Sequence, residues 1–321
     1  MISREHKIRW GILGCGQIAD TFASDLSLSE NAILMACASN DSTRGKAFAI
    51  KHGANYFFET YEELAKNKDI DVIYIATLNS FHMEHSVLCL QNKKAVLCEK
   101  PLSINKSEAE KMMEVAHENN TFLMEAMWTS CLPNIHKIKY TIQNGEIGEI
   151  IHLSADFGFK VDYNPKSRLF DPALGGGSLL DIGIYPLFIS LLLMGKPETI
   201  HSSLRYTDSG VDASCSVLLS YSEGKTAALF SSFETFTNIK CEIYGTKGKI
   251  IIEDRFHQQN EHVLVLNGLP AQVEKSDALG FGYIFEIEHV NECLYRGLKE
   301  SPNMPLKYSL ELLQMMDEIR R

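Results

Sequence analysis

Two side chains able to handle a proton stand four residues apart in GGGSLLDIGIYPL (175–187), the carboxylate of Asp181 and the phenol of Tyr185. Their neighbours are large and apolar, and burying a polar group without a partner costs on the order of 2 kcal/mol or more. The pair is therefore either satisfied internally or exposed in a cleft, and spacing alone leaves both readings open. On a helix, residues i and i+4 share a face, so both groups point the same way. Lys100, in CEKPL (98–102), is a third candidate. Pro101 holds it extended, so that its ammonium projects from a strand end.

A fourth feature is the run Gly11-Ile-Leu-Gly14-Cys-Gly16-Gln-Ile-Ala19, in which Gly14, Gly16 and Ala19 fit GxGxxA. Gly14 permits a tight turn, Gly16 admits a pyrophosphate to the backbone, and Ala19 lets helix pack on strand. The amides at Gln17 and Ile18 open a helix aimed at the phosphate. An NAD enzyme normally carries Asp or Glu at the end of the second strand. Here the residues are Ser39-Asn40-Asp41-Ser42-Thr43-Arg44. Ser39 is small and neutral, and Arg44 lies one helical turn on, able to meet a 2′-phosphate, whereas Asp41 would repel one. The balance favours NADP over NAD.

These groups need elements to hold them. Apolar runs at 7–14, 32–39, 71–77, 94–99 and 121–126 alternate with amphipathic stretches at 42–52, 60–67, 80–92 and 105–119. Strands apolar on both faces between helices predict a doubly wound parallel sheet, a Rossmann domain over 1–126. Ligands bind such sheets at the carboxyl ends of the strands, where Thr77, Asn79, Glu99 and Lys100 stand. After a helix at 132–144 and a strand at 150–158 come two-period strands at 198–206, 211–222, 225–235, 239–245, 248–253 and 262–266. Helices at 281–298 and 307–320 close the chain. This predicts an α+β domain over 127–321 with an open, mostly antiparallel sheet, its C-terminal helix free to pack back on the first domain. Tyr221-Ser-Glu-Gly-Lys225 matches a YxxxK pair, but Ser-Glu-Gly between strands reads as a hairpin. His82 and His85 share a helical face without an evident third ligand, so no metal is expected.

The motifs Gly14/Gly16/Ala19, Glu99-Lys100-Pro101 and GGGSLLDIGIY, in this order and spacing, resemble the Gfo/Idh/MocA oxidoreductase family over essentially the whole chain. Tyr185 in place of histidine, EAMW at 125–128 and RLFDP at 168–172 are similar to its branch of dimeric dihydrodiol dehydrogenases, D-xylose dehydrogenases and glucose–fructose oxidoreductase. The resemblance implies NADP-linked hydride transfer between the nicotinamide and a secondary alcohol of a sugar, polyol or cyclic diol. It makes Tyr185 the acid/base, Lys100 its cationic assistant, and Asp181 the group orienting Lys100 or a substrate hydroxyl. The glycines at 175–177 let the backbone come close to another element, expected to be the nicotinamide end of the first domain. Asp181 and Tyr185 therefore read as lining a cleft between the domains. His82 and Asn79 would lie near the nicotinamide, and Trp128, Phe157 and Arg168 would line the substrate pocket. The chain departs from the branch at Asn40, where arginine is usual, at Leu78 for proline, and at Ser130 for arginine.

A net charge of −10 argues against a general affinity for nucleic acid or anionic membranes. Eight scattered cysteines, with neither CxxC pairs nor zinc spacing, suggest a reduced cytoplasmic protein without a disulfide framework. A homodimer or homotetramer through the open sheet is expected. The rival function is a sensor or regulator that binds NAD(P) without turnover.

Overall fold

The computed structural model describes residue 4, residues 6–276 and residues 278–321. In the first part of the chain β1 (Ile8–Leu13), β2 (Ala32–Ala38), β3 (Tyr56–Phe58), β4 (Val72–Ile75), β5 (Ala95–Glu99) and β6 (Leu123–Ala126) form one sheet. Its order is β3-β2-β1-β4-β5-β6 and every pairing is parallel. The crossovers are α1 (Gln17–Leu26), α2 (Ser42–His52), α3 (Tyr61–Lys66), α4 (His82–Gln91) and α5 (Lys106–Glu118). The β4 and β5 side chains are buried on both faces, as two helical layers require. The order reverses direction beside β1, the place where this topology binds dinucleotides. Three-residue β3 escapes sequence reading because it is too short to show a period.

The second part runs through α6 (Pro133–Gln143) and β7 (Ile150–Gly158) to a π-helical turn at Leu179–Gly183, continued as α7 (Ile184–Met194). Then follow β8 (Thr199–Tyr206), β9 (Asp212–Ser220), β10 (Thr226–Ser232), β11 (Cys241–Gly245), β12 (Gly248–Ile252), β13 (His262–Leu266) and β14 (Gln272–Glu274). The eight-stranded order is β14-β13-β12-β11-β7-β10-β9-β8. All pairings are antiparallel except β7 with β10, because β7, first in the chain, inserts into the middle of the later strands. The π-turn packs on β7, β9 and β10, and apolar α7 packs on β7 and β10. Most of the apolar stretch Pro172–Met194 is buried inside the protein. Tyr221 and Lys225 flank the hairpin joining β9 to β10, closed by Tyr221 N–H donating to Lys225 O at 2.9 Å.

The chain ends with α8 (Tyr283–Tyr295) and α9 (Leu306–Ile319). It divides into two compact units, Met1–Cys131 with Leu279–Leu310, and Leu132–Ala278 with Glu311–Arg321. The sequence places a boundary after residue 126 and leaves a C-terminal helix free to pack back on the first domain, but local patterning does not name the contacts that hold α8. Those contacts are long-range. Buried Asp25 of α1 accepts the N–H groups of Phe281 (2.9 Å) and Ile284 (3.2 Å), capping a helix start that has no side-chain cap of its own. Trp10 of β1 donates its indole N–H to Asn291 at 3.0 Å. All eight cysteines are buried and unbridged.

Candidate active site

The glycine turn adopts the shape its sequence calls for. Gly14 has φ +97°, and a Cβ there would lie 2.9 Å from Ala76 O. Gly16 sits at the start of α1 in extended conformation, exposed, with nothing within 4 Å of where a Cβ would stand. No side chain caps α1, whereas Asp41, Thr60 and Asn105 cap α2, α3 and α5. The amides at Gln17 and Ile18 thus open a helix with room above it, and Ala19 is fully buried against the sheet. These residues fit a dinucleotide pyrophosphate.

At the end of β2, Ser39 is buried and its Oγ accepts the Asp41 N–H at 3.2 Å. Asp41, expected to oppose a 2′-phosphate, spends its carboxylate on the α2 cap, accepting the Arg44 N–H at 2.9 Å. The Arg44 side chain is exposed and its charge reaches the glycine turn. The Cys15 thiol is held below its ordinary value by a hydrogen bond with Cys37, against burial, and Arg44 adds to the lowering. Burial raises the Tyr61 phenol, while hydrogen bonds with Asn40 and the charge of Arg44 oppose the rise. Asn40, Arg44 and Tyr61 therefore gather around one corner of the turn. Sequence reasoning missed Tyr61, which follows a helix cap and carries no spacing signal.

At the ends of β4 and β5 the groups hold one another. Thr77 Oγ1 and His85 Nδ1 lie 3.0 Å apart, and the His85 ring packs against Tyr61 and Phe81. Asn79, half-buried, opens a single 3₁₀ turn. His82 is completely buried, with Nδ1 2.8 Å from Pro101 O and Nε2 3.2 Å from Thr77 O. Burial pushes its pKa down to about 4, so the ring is neutral at pH 7 and its single N–H donates to one of these two carbonyls at a time. Glu99 accepts from the Tyr74 hydroxyl with Oε1 and from the Lys100 N–H with Oε2, at 3.2 Å for the latter. Lys100 itself is half-buried. Trp128 belongs to this unit, where it stacks on Tyr283 at 4.4 Å.

The second unit carries Tyr185, Asp181, Phe157 and Arg168. Asp181 accepts from Arg168 at 2.9 Å, so this arginine is tied to the carboxylate of its own unit. The Tyr185 ring lies 5.7 Å from Phe157 and 4.7 Å from His257, and Phe157 stacks on His257 at 4.5 Å. His257 follows β12 in a loop, where no sequence pattern marked it. The backbone that presents Asp181 is a π-turn, a rare form that recurs at functional sites. The wider turn also means that the α-helical i, i+4 rule does not by itself set the angle between Asp181 and Tyr185.

Gly176 and Gly177 serve closeness within this unit. A Cβ on Gly176 would stand 2.8 Å from Leu169 O and 2.9 Å from Asp171 O. Gly177, at φ +116°, leaves room for the Asp212 carboxylate. Asp212 is 4% exposed and accepts from the Ser178 hydroxyl and the Leu179 N–H, each at 2.7 Å. It anchors the π-turn, a role invisible in sequence because the partners are 34 and 33 residues away.

Comparison with known proteins agrees with this layout. Residues 8–127 match the model of an oxidoreductase family with an NAD-binding Rossmann fold, and residues 135–251 match the GFO/IDH/MocA C-terminal domain. The chain is 38% identical to the trans-1,2-dihydrobenzene-1,2-diol dehydrogenase of Sus scrofa, over 98% of this chain and 96% of that protein. It is 35% identical to the Xenopus tropicalis enzyme of the same name, over 97% and 96%. Among solved structures, the 3-ketoreductase KijD10 of Actinomadura kijaniata, in complex with NADP and TDP-benzene, superposes with a TM-score of 0.87 at 25% identity, covering 98% of this chain and 97% of that one. The aldose-aldose oxidoreductase of Caulobacter crescentus shares the fold, with a TM-score of 0.90 at 24% identity over 98% and 96%. The chain belongs to the Gfo/Idh/MocA oxidoreductase family.

Proposed function

We propose that the protein is an NADP-linked dehydrogenase or reductase acting on a secondary alcohol or carbonyl with a neighbouring hydroxyl, as in sugars, polyols and cyclic diols. The observation that supports this most is the uncapped start of α1 under Gly16, open to a phosphate in a chain that also carries Lys100 at a parallel strand end and a phenol beside a π-turn. The names of the diol dehydrogenases and the ketoreductase point to the same substrate chemistry.

Gly14, Gly16, Gln17 and Ile18 hold the pyrophosphate, and Ser39, Asn40 and Arg44 hold the 2′-phosphate. Thr77 and Asn79 contact the ribose and nicotinamide side, while His82 and Glu99 fix the strand-end turns. A bound nicotinamide supplies or accepts the hydride. Tyr185 takes the hydroxyl proton during oxidation and returns one to the oxygen during reduction. A free phenol near pKa 10 is a poor base at neutral pH, so Lys100 lowers it electrostatically and donates a hydrogen bond to the substrate oxygen. Asp181, set by Arg168, orients a second substrate hydroxyl, and Phe157 and Trp128 supply apolar walls.

The test is a fluorescence titration with NADPH and NADH, followed by oxidation of dihydrobenzenediols, D-xylose and D-glucose with NADP⁺. Tight NADPH binding with turnover supports the reading. Binding without turnover across these substrates replaces it with a sensor, and binding of neither cofactor removes it. A second copy of the chain is the proposed occupant of the open sheet face, where Ser154, His201, Ser216, Leu218 and Phe230 line a shallow depression of ≈ 530 Å³. Analytical ultracentrifugation checks this, and a Leu218→Glu variant should dissociate.

A further inference from the structure

A carboxylate inside an apolar strand is costly unless it is paired, and Glu125 is only 1% exposed in the run Leu123–Ala126 of β6. It stands opposite Cys98 of β5, one residue before Glu99. Its Oε1 accepts the Leu102 N–H at 3.0 Å, two residues beyond Lys100. Its Oε2 is buried and has no hydrogen-bond partner among the described residues. The buried Ser309 hydroxyl of α9 also lacks one, although it lies near enough to favour the charged carboxylate. With Glu99 on the Lys100 N–H and His82 on Pro101 O, Glu125 completes a grip on three successive residues of the turn.

We propose that Glu125 is a positioning residue for Lys100, holding the following backbone amide with one oxygen while the other gains or loses a proton and so sets the charge beside the ammonium. This rests on the reading of Lys100 as the cation of a dehydrogenase. A clamp alone would not need an ionisable group with one oxygen left over, since an amide accepts the Leu102 N–H equally well. The groups facing Glu125 are the Cys98 thiol, the Glu99 carboxylate and the Lys100 ammonium from β5 and its turn, and the Ser309 hydroxyl from α9. Burial raises its pKa to about 7; Ser309 and the Leu102 N–H oppose the rise, Glu99 adds to it, and Lys100 opposes it. Coupling is reciprocal, so a carboxylate favoured by the Lys100 ammonium favours that ammonium in return. In the protonated state Oε2–H donates to Ser309 Oγ. In the ionised state the proton has passed to solvent, the Ser309 hydroxyl turns to donate to Oε2 more strongly than it accepted, and the hold on Leu102 becomes charge-assisted.

Wild type, Glu125→Gln and Ser309→Ala are compared as full chains by two readouts. The first is kcat/KM against pH, and the second is the rate of Lys100 acetylation followed by mass spectrometry. Wild type should show an inflection near neutrality that Glu125→Gln lacks and that Ser309→Ala moves to higher pH. Lys100 in Glu125→Gln should acetylate about threefold faster or more at mildly alkaline pH, the effect of losing about half a pKa unit of stabilisation of its charged form. An inflection retained in Glu125→Gln, or an unchanged acetylation rate, overturns the proposal. A merely structural carboxylate would lower the unfolding midpoint and leave both readouts where they were. The acetylation comparison needs no turnover, so failure of the dehydrogenase reading shows separately, as absent NADPH binding or absent activity.

Discussion

Gly177→Ala tests whether the π-turn is held by the buried carboxylate beside it. A methyl group there falls well inside van der Waals contact with Asp212 Oδ1, in a backbone conformation at φ +116°. The conformational strain alone is roughly 1–2 kcal/mol. The carboxylate must also move from the Ser178 hydroxyl and the Leu179 N–H, both at 2.7 Å, and hydrogen bonds to a charged group are worth about 1.5–3 kcal/mol each. Losing one of them and straining the backbone gives about 3–4 kcal/mol, a fall in the unfolding midpoint on the order of 10 °C for a unit of this size. The assay is thermal and urea unfolding by circular dichroism for Gly177→Ala, Asp212→Ala and the double variant. Asp212→Ala removes the clash as well as the bonds, so the double variant should fall short of the summed losses by about 2 kcal/mol. Strict additivity, or a Gly177→Ala cost below about 1 kcal/mol, would refute the reasoning.

Tyr185→Phe and Lys100→Met should each cut turnover by about 10²-fold or more while NADPH binding survives, which stopped-flow kinetics and fluorescence titration measure together. Arg44→Gln should weaken NADPH binding by about tenfold and leave NADH nearly untouched, a ratio read from paired titrations. Stability against pH should expose two opposed groups. His82, near 6.5 when unfolded and about 4 when folded, contributes stability that is lost as pH falls through that window. Glu125, near 4.5 unfolded and about 7 folded, contributes stability that is lost as pH rises through its window, each group being worth about 3 kcal/mol at full effect. Midpoints of wild type should therefore vary little between these values, whereas those of Glu125→Gln should climb with pH and those of His82→Gln should decline.

The first unit was the more legible half because its information is local. GxGxxA, the capping residues and strands apolar on both faces each act within a few residues, and helices expected at 42–52 and 105–119 appear as Ser42–His52 and Lys106–Glu118. What sequence could not carry was any contact made across the chain. The return of α8 depends on Asp25 meeting Phe281, 256 residues away. The glycines before Asp181 signal that something comes close, but only the structure names Leu169 and Asp171 as neighbours of Gly176 and Asp212 as that of Gly177. In the sequence Asp41 reads as a charge opposing a phosphate, and its use as a helix cap emerges only with the Arg44 N–H beside it. Glu125 did leave a trace, a carboxylate within FLMEAMW, which is the kind of misfit that marks a group held for a purpose.

One device recurs in the two units. The segment after Lys100 is tied down by Glu125 reaching from the adjacent strand to a backbone amide, Leu102 N–H. The turn carrying Asp181, just ahead of Tyr185, is tied down by Asp212 at the start of β9, again through a backbone amide, Leu179 N–H. Burial raises the pKa of both carboxyl groups, so each site spends stability to hold a backbone amide. An apolar side chain could fill the space without that cost, but it offers an amide no acceptor and exerts no directional force on the backbone. A catalytic side chain gains from a fixed backbone more than from general packing, since a displacement of about 1 Å is enough to lower turnover severely. Replacing either carboxylate by an isosteric amide should therefore disturb activity less than replacing it by leucine, even where leucine gives the more stable protein.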